Sequence, residues 1–335
     1  MENLFKKIVA LSVIGLVSLS CWAKGSNDSS RGGAGAATSE VSENLVIYGL
    51  RGPSGVGMIR LFEYPPAIPG TSVTLEALAQ ADLMVAKFVS GEAKIGILPP
   101  NVAAKIASTG KKLQIAAVTG TGMISLISGE SAVRRIEDLK GRSIGVAGQG
   151  ATPDYVFRKI LLNKGLNPDT DVTLDFSLAY PEIAQSLIAG RISLALLPEP
   201  FATMARSGNP NLQVIGNIED EWVAAGGSGN FPMTVLVVDA DYAASRPQVI
   251  SGVLADLKTS IEWVVANPAE AGVLVEKHDL GLRAPVVAAA VPRSNYVFIS
   301  AMAAKPALES LYRAFLEFAP QSIGGALPPD SFYWK

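Results

Sequence analysis

Five turns rich in glycine or proline stand at predicted strand ends, and all but TGTG lead into a predicted helix. They are GPSG (52–55), PPN (99–101), TGTG (119–122), GQGAT (148–152) and PEP (198–200). Small residues let a bound molecule approach the backbone closely. Helix N-termini offer unpaired N–H groups and the positive end of the helix dipole. These turns could therefore bind the polar groups of a small molecule without a reactive side chain.

The candidate binding residues come from these turns and from one tryptophan near a predicted strand end or helix start. They are Gly52, Pro53, Ser54, Gly55, Pro100, Asn101, Thr121, Gly150, Ala151, Thr152, Glu199 and Trp222. Aromatic side chains near the predicted strand ends could form a wall for a flat ligand; they are Tyr48, Tyr155, Tyr180, Phe201 and Trp222. Asp154 and Glu199 would oppose an anion, whereas Arg51 could bind one. We favour a neutral or heterocyclic ligand.

Each of these residues also has a purely structural interpretation. Glycine and proline are common in any turn between a strand and a helix. The aromatic residues could be core residues, and the two carboxylates could complement helix dipoles.

The small numbers of histidine and cysteine residues limit the metal-binding and catalytic sites that the chain can form. The chain has one histidine, His278, and one cysteine, Cys21, which argues against a zinc site built from these residue types. His278 lies at a predicted helix end, where we expect a solvated or capping role. Neither a GxGxxG nor a GxxxxGK[ST] motif is present. The net charge of −2 does not favour nucleic-acid binding. We expect no cofactor, no metal and no enzymatic activity.

Two stretches of the chain are repeated. LPPNVAAKIASTG (98–110) resembles LPEPFATMARSG (197–208), and VIYGLRGPSGVGMIRLF (46–62) resembles SIGVAGQGATPDYVFRKIL (143–161). Each pair shares the order strand, turn, helix. Two copies are too few for a solenoid. They predict two similar lobes whose turns face each other.

The remaining pattern alternates strands with helices, which predicts an α/β fold with two doubly wound, parallel sheets. We predict a first lobe from residues 44–128 plus 231–335, with a second lobe, 129–230, inserted into it. The two crossings would form a hinge. Thr152 and Asp239 are predicted helix N-caps, and helices are predicted throughout 268–319.

The N-terminus has the pattern of an export signal. Lys6 and Lys7 precede an apolar run, 8–20, which is too short for a comfortable membrane span. Cys21 follows at once and matches a lipid-modified cysteine, so 1–21 would be a lipoprotein signal peptide. The alternative is ordinary cleavage after Ala23. Residues 22–43 are rich in Gly, Ala and Ser and predict a flexible tether. In either case the protein is expected to be exported.

Several segments, in this order, resemble the NitT/TauT–SsuA–THI5-like (NMT1-type) solute-binding proteins, which have the type II periplasmic-binding fold. The segments are LRGPSG (50–55), VSGEAKI (89–95), EDLKG (137–141), GATP (150–153), LPEPF (197–201) and ANP (266–268). The resemblance covers about 44–335. It implies a monomeric receptor, held at the extracytoplasmic face of the membrane by its lipid anchor, that delivers a small solute to an ABC-type permease and its ATPase. Relatives bind nitrate, sulfonates, or pyrimidine and thiamine precursors.

Two other functions remain open on the same fold. One is an exported enzyme similar to those of pyrimidine or menaquinone biosynthesis, and the other is a ligand-sensing ectodomain.

Overall fold

The computed structural model describes residues 43–335. The predicted signal peptide, Cys21 and nearly all of the tether lie outside these residues. The strands are β1 (Glu43–Leu50), β2 (Thr71–Leu78), β3 (Ile95–Leu98), β4 (Leu113–Thr121), β5 (Ile124–Ser128), β6 (Ser143–Val146), β7 (Thr173–Asp175), β8 (Leu194–Pro198), β9 (Gln213–Val214), β10 (Pro232–Asp239) and β11 (Tyr296–Ser300).

Helices separate most of these strands, and many begin with a proline in their first turn, where its missing N–H costs no hydrogen bond. They are α1 (Pro53–Gly57), α2 (Ile59–Glu63), α3 (Ala81–Ser90), α4 (Pro100–Ser108), α5 (Thr152–Asn163), α6 (Tyr180–Ile188), α7 (Phe201–Gly208), α8 (Ile218–Ala224), α9 (Ala240–Ser245), α10 (Pro247–Ala266), α11 (Pro268–Lys277), α12 (Ala284–Ala290) and α13 (Ala301–Phe318).

The first lobe is built on a six-stranded sheet with the order β11-β4-β10-β3-β1-β2. Strand β1 pairs in parallel with β2 and β3, whereas β10 runs antiparallel to both β3 and β4. Every residue of β3 is buried, and β4 and β10 are almost entirely so. Burial of both faces is typical of a sheet with helices on each side.

The second lobe is built on a five-stranded sheet with the order β7-β6-β8-β5-β9. Strand β6 pairs in parallel with β7 and β8, and β5 pairs antiparallel with β8. The predicted α/β class with two sheets is confirmed. The expectation of purely parallel sheets is wrong, because each sheet contains strands that return antiparallel.

Sheet membership differs from the predicted lobe boundary at one crossing. Strand β5 pairs with β8 and β9 of the five-stranded sheet, although the predicted boundary at residue 128 would assign it to the first lobe. The crossing lies at Gly122–Met123, between β4 and β5. The return crossing lies at Asn230–Phe231, immediately before β10. The two sheets thus form two lobes joined by two crossings, and the exact boundaries of the lobes stay a prediction.

Two local predictions are also corrected. Residues 296–300 form β11, which pairs with β4, instead of helix. Thr152 is the first residue of α5 and not its N-cap, since that position belongs to Ala151. Asp239 caps α9 as predicted, its Oδ1 accepting the Tyr242 N–H at 3.0 Å. Within residues 43–335, no helix combines the length and the apolar character needed to span a membrane.

Candidate functional site

The repeated turns lie at the carboxyl ends of strands in both sheets and lead into helices. Strands β1 and β3 of the first lobe are followed by α1 and α4, and β6 and β8 of the second lobe by α5 and α7. In open α/β sheets this edge is where ligands bind. Turns of the first lobe contact turns of the second lobe at this edge, as described below.

The first contact joins the N-termini of α4 and α5. Asn101 Nδ2 donates to the carbonyl oxygen of Gly150 at 2.7 Å, and Asn101 Oδ1 accepts from Thr152 Oγ1 at 2.9 Å. Both side chains are fully buried. Three predicted solute-binding residues are therefore brought together, but their polar groups bind one another. We call this pair of hydrogen bonds the interlobe clasp.

Aromatic side chains extend the contact beside the clasp. Phe315 of α13 lies 5.5 Å from Tyr155 of α5 and 6.3 Å from Trp222 of α8, measured between ring centroids. Lys159 of α5 also donates to Glu317 of α13 at 2.6 Å. The C-terminal helix of the first lobe thus packs on two helices of the second lobe.

A second contact joins the GPSG turn to α7. Gly52 has a positive φ of 101°, and a Cβ placed on it would lie 3.0 Å from the ring of Phe201. Phe201 stacks on Tyr180, with centroids 5.7 Å apart and an interplanar angle of 17°. The Tyr180 hydroxyl donates to the carbonyl oxygen of Ala147, at the end of β6, at 3.2 Å. Two of the aromatic residues suggested by the sequence therefore form one flat wall against Gly52.

The other residues of the GPSG turn have structural roles. Ser54 Oγ lies 3.3 Å from both the backbone N and O of Leu50, so its hydroxyl is occupied within its own turn. A Cβ on Gly55 would lie 2.6 Å from the carbonyl oxygen of Leu50. Only glycine fits there, whether or not a solute binds. Pro53, which starts α1, is partly exposed.

Trp222 lies in the core. Its side chain is fully buried, its ring packs on Phe231 at 5.6 Å, and its Nε1 donates to the carbonyl oxygen of Ser228 at 3.0 Å. It has no free polar atom for a solute, so we remove it from the candidate site.

Three further candidate residues lie at strand ends or helix starts: Thr121, Pro100 and Ala151. Thr121 ends β4 next to the first crossing and is buried. Pro100 starts α4, and its carbonyl oxygen accepts from the Tyr312 hydroxyl at 3.0 Å. Ala151, at the N-cap of α5, is partly exposed.

The model of the NMT1-like family matches residues 67–276. This range is well over half of the chain and includes the turns after β3, β6 and β8. The chain belongs to the NMT1-like family. No curated protein matches it.

Solved structures share the fold of this chain. An ABC transporter protein from Parabacteroides distasonis is 24% identical, with a TM-score of 0.72, over 87% of this chain and 98% of the other. The periplasmic aliphatic sulphonate-binding protein SsuA from Escherichia coli is 17% identical, with a TM-score of 0.68, over 87% and 92%. The alkanesulfonate-binding protein SsuA from Xanthomonas axonopodis pv. citri, bound to MOPS, is 17% identical, with a TM-score of 0.66, over 86% and 96%.

Charged groups at the candidate site of this NMT1-like protein are few. Glu199, which follows β8, is 5% exposed, and its Oε2 accepts the Thr203 N–H at 3.0 Å. Burial raises the pKa of the Glu199 carboxyl above its ordinary value, although the bonds from Thr203 oppose this. Both carboxylate oxygens of Asp154 already accept hydrogen bonds, one from the Gly150 N–H and one from the Arg158 guanidinium. Arg51 is exposed.

The raised pKa of Glu199 gives a pH-dependent prediction. A buried carboxyl with a raised pKa binds its proton more tightly in the folded chain, so its ionisation reduces stability as the pH rises from its ordinary pKa to its folded pKa. We expect Glu199→Gln to be more stable than the wild type at pH 7, with the difference closing towards pH 4. Urea denaturation across this pH range measures it.

Glu92 is the control, because its pKa is shifted in the opposite direction to that of Glu199. Its hydrogen bond from Lys87 lowers its pKa, so this exposed carboxylate stabilises the fold at neutral pH and loses that effect as the pH falls. Glu92→Gln should not be more stable than the wild type at pH 7. The interpretation of Glu199 is wrong if the two variants respond alike.

Two buried polar groups near the crossings were not predicted from the sequence. Glu219 of α8 accepts the backbone N–H of Asn230 and lies against Gly122, so one carboxyl contacts both crossings. Its Oε2 and the hydroxyl of Tyr296 have no hydrogen-bond partner within residues 43–335. No local sequence signal marks either residue, because each is brought to the site by a distant pairing.

Proposed function

We propose that this NMT1-like protein is an extracytoplasmic solute-binding protein that delivers a small molecule to an ABC-type import permease and its ATPase. The main support for this proposal is the contact between the Gly52 turn of one lobe and Phe201 of the other lobe. Turns from the two similar units thus meet at the edge where α/β sheets bind ligands. The ABC transporter and sulphonate-binding proteins that share the fold support the same function.

The solute is proposed to be uncharged and flat. Tyr180 and Phe201 offer stacked rings, which suit an aromatic or heterocyclic ligand. Glu199 is the buried carboxyl beside them, and the arginines whose charges reach it, Arg206 and Arg293, are exposed. A buried anion would need a buried cationic partner. For this reason we do not extend the sulphonate specificity of SsuA to this chain.

A binding function is favoured over an enzymatic one by the place of the histidine. His278 ends α11, where its Nε2 lies 2.8 Å from Glu63 Oε2. It belongs to the helices that cover the first lobe and not to the turns. Within residues 43–335, no cluster of three or more His, Cys, Asp or Glu side chains is placed to bind a metal.

Native mass spectrometry of the protein purified from its source cells tests the proposal. We expect a retained neutral aromatic or heterocyclic compound in a 1:1 complex. A retained sulfonate or nitrate would contradict the proposed solute class. Conversion of the retained compound to a product on incubation would contradict the binding function itself.

The proposed site of action requires export and anchoring at Cys21. Cys21→Ser should move the protein from the membrane fraction to the soluble extracytoplasmic fraction, because the lipid acceptor is lost. Metabolic labelling with an alkyne fatty acid measures this, with Ser18→Ala as a control that keeps the cysteine. Absence of label on the wild-type protein would favour ordinary cleavage after Ala23 instead.

A further inference from the structure

The hydroxyl of Tyr296 is a buried polar group that the fold itself does not explain. Tyr296 begins β11, pairs with Gly120 of β4, and is 7% exposed. Its ring packs against the end of α1, where a Cβ on Gly57 would lie 3.4 Å from the ring. The ring is therefore fixed beside the helix that starts with the Gly52 turn.

The hydroxyl at the end of this ring has no hydrogen-bond partner among residues 43–335. The Ser294 hydroxyl is close enough to lower the pKa of Tyr296, but it is not in hydrogen-bonding geometry with the tyrosine, and it donates to the carbonyl oxygen of Ala290 at 2.9 Å. Leaving a buried hydroxyl unpaired costs free energy, and native proteins avoid it unless the group has another use. A solute is one partner that the chain itself does not contain.

The surroundings of this hydroxyl place it at the boundary between the lobes. Tyr296 comes from the first lobe, and the charge of Glu199 from the second lobe is close enough to raise its pKa, in addition to the larger effect of burial. Helix α12, a few residues before Tyr296, packs on α7, which follows Glu199. The hydroxyl and the carboxyl thus approach one region from opposite sides.

We propose that the Tyr296 hydroxyl binds the solute directly, opposite Glu199. This inference rests on the proposed function and identifies a specificity residue that lies outside all five turns. A tyrosine hydroxyl both donates and accepts, and a carboxyl accepts, so together they suit an uncharged solute edge with an acceptor beside a donor. An amide or an amino-substituted heterocycle has such an edge.

Tyr296→Phe is the test, because it removes one oxygen and keeps the ring. Since the hydroxyl is unpaired within the chain, the melting temperature of the protein stripped of small molecules should not fall. The probe is a desalted methanol extract of the source cells, added at equal dilution to stripped wild-type and variant protein, with the bound mass quantified by native mass spectrometry. Loss of one neutral hydrogen bond should raise the extract concentration needed for half saturation about 5- to 10-fold.

Tyr242→Phe is the matched control. Its hydroxyl is also buried without a partner in the described part of the chain, but it lies in α9, near Glu43 at the opposite, amino end of β1. It should bind the extract component like the wild type. Equal binding by Tyr296→Phe and the wild type overturns this inference alone. Failure of the wild type to retain any extract component overturns the proposed function, and this inference with it.

Discussion

Asn101→Ala is expected to lower the free energy of unfolding by about 2–4 kcal/mol, since it breaks both hydrogen bonds of the interlobe clasp. The Thr152 hydroxyl and the Gly150 carbonyl would lose their partner, and the Thr152 side chain is fully buried. An unsatisfied buried group costs about 1–3 kcal/mol, and groups in one network do not contribute independently. Urea denaturation measures the loss. Small-angle scattering should show a larger radius of gyration, because the N-termini of α4 and α5 are no longer joined.

A double-mutant cycle separates the clasp from general destabilisation. Thr152→Val removes the partner hydroxyl, so Asn101→Ala and Thr152→Val should couple by about 0.5–3 kcal/mol in the double variant. Asn267→Ala is the control, because its amide donates within the first lobe, to the carbonyl oxygen of Trp263 at 2.8 Å. It should leave the scattering profile unchanged. Strict additivity of the two clasp substitutions would mean that the lobes are not held together at this point.

Gly52→Val should reduce solute affinity far more than a comparable substitution elsewhere. Its side chain would meet the Phe201 ring, since even a Cβ lies 3.0 Å from it. Overpacking of this kind costs about 1–3 kcal/mol, or about 5- to 150-fold in affinity when it opposes the approach of the two lobes. Titration of stripped protein with the cell extract, followed by native mass spectrometry, measures the change.

Gly110→Val is the control for backbone strain. Gly110 has a φ of 91°, close to the 101° of Gly52, but no atom lies within 4 Å of its Cβ position. Both variants therefore carry the cost of a β-branched residue at positive φ, and only Gly52→Val meets the opposite lobe. If both lose affinity equally, the effect comes from the backbone and the contact with Phe201 is unimportant.

Local patterns predicted most of the fold because each element carries its own signals. Asp239, a predicted N-cap, does cap α9, and α3 is followed by Gly91, which adopts the left-handed conformation that favours glycine. Strand β11 was missed because its five residues stand between helices and no turn signal separates them from α13. The first crossing was misplaced because β4 and β5 are both apolar runs, and only their pairing partners distinguish the two sheets.

The site was predictable as a set of turns, but their contacts were not. Glycine and proline mark where strands end, which is a local property. The hydrogen bond between Asn101 and Thr152 joins residues 51 positions apart, and no periodicity in the sequence predicts it. Trp222 shows the converse error, because its position near a predicted strand end or helix start gave no information on which way its side chain points.

The position of β10 has a consequence for the order in which the chain can fold. This strand lies between β3 and β4 in the six-stranded sheet, yet it follows them by more than a hundred residues. The strands of the five-stranded sheet all lie within 124–214, so that sheet can be completed while the other still lacks a central strand. Until residues 232–239 emerge, β3 and β4 present unpaired backbone edges, which favour aggregation. When the chain emerges from its N-terminus onwards, its N-terminal part should therefore depend on chaperones until β10 has emerged. We expect the second lobe to become protease-resistant first.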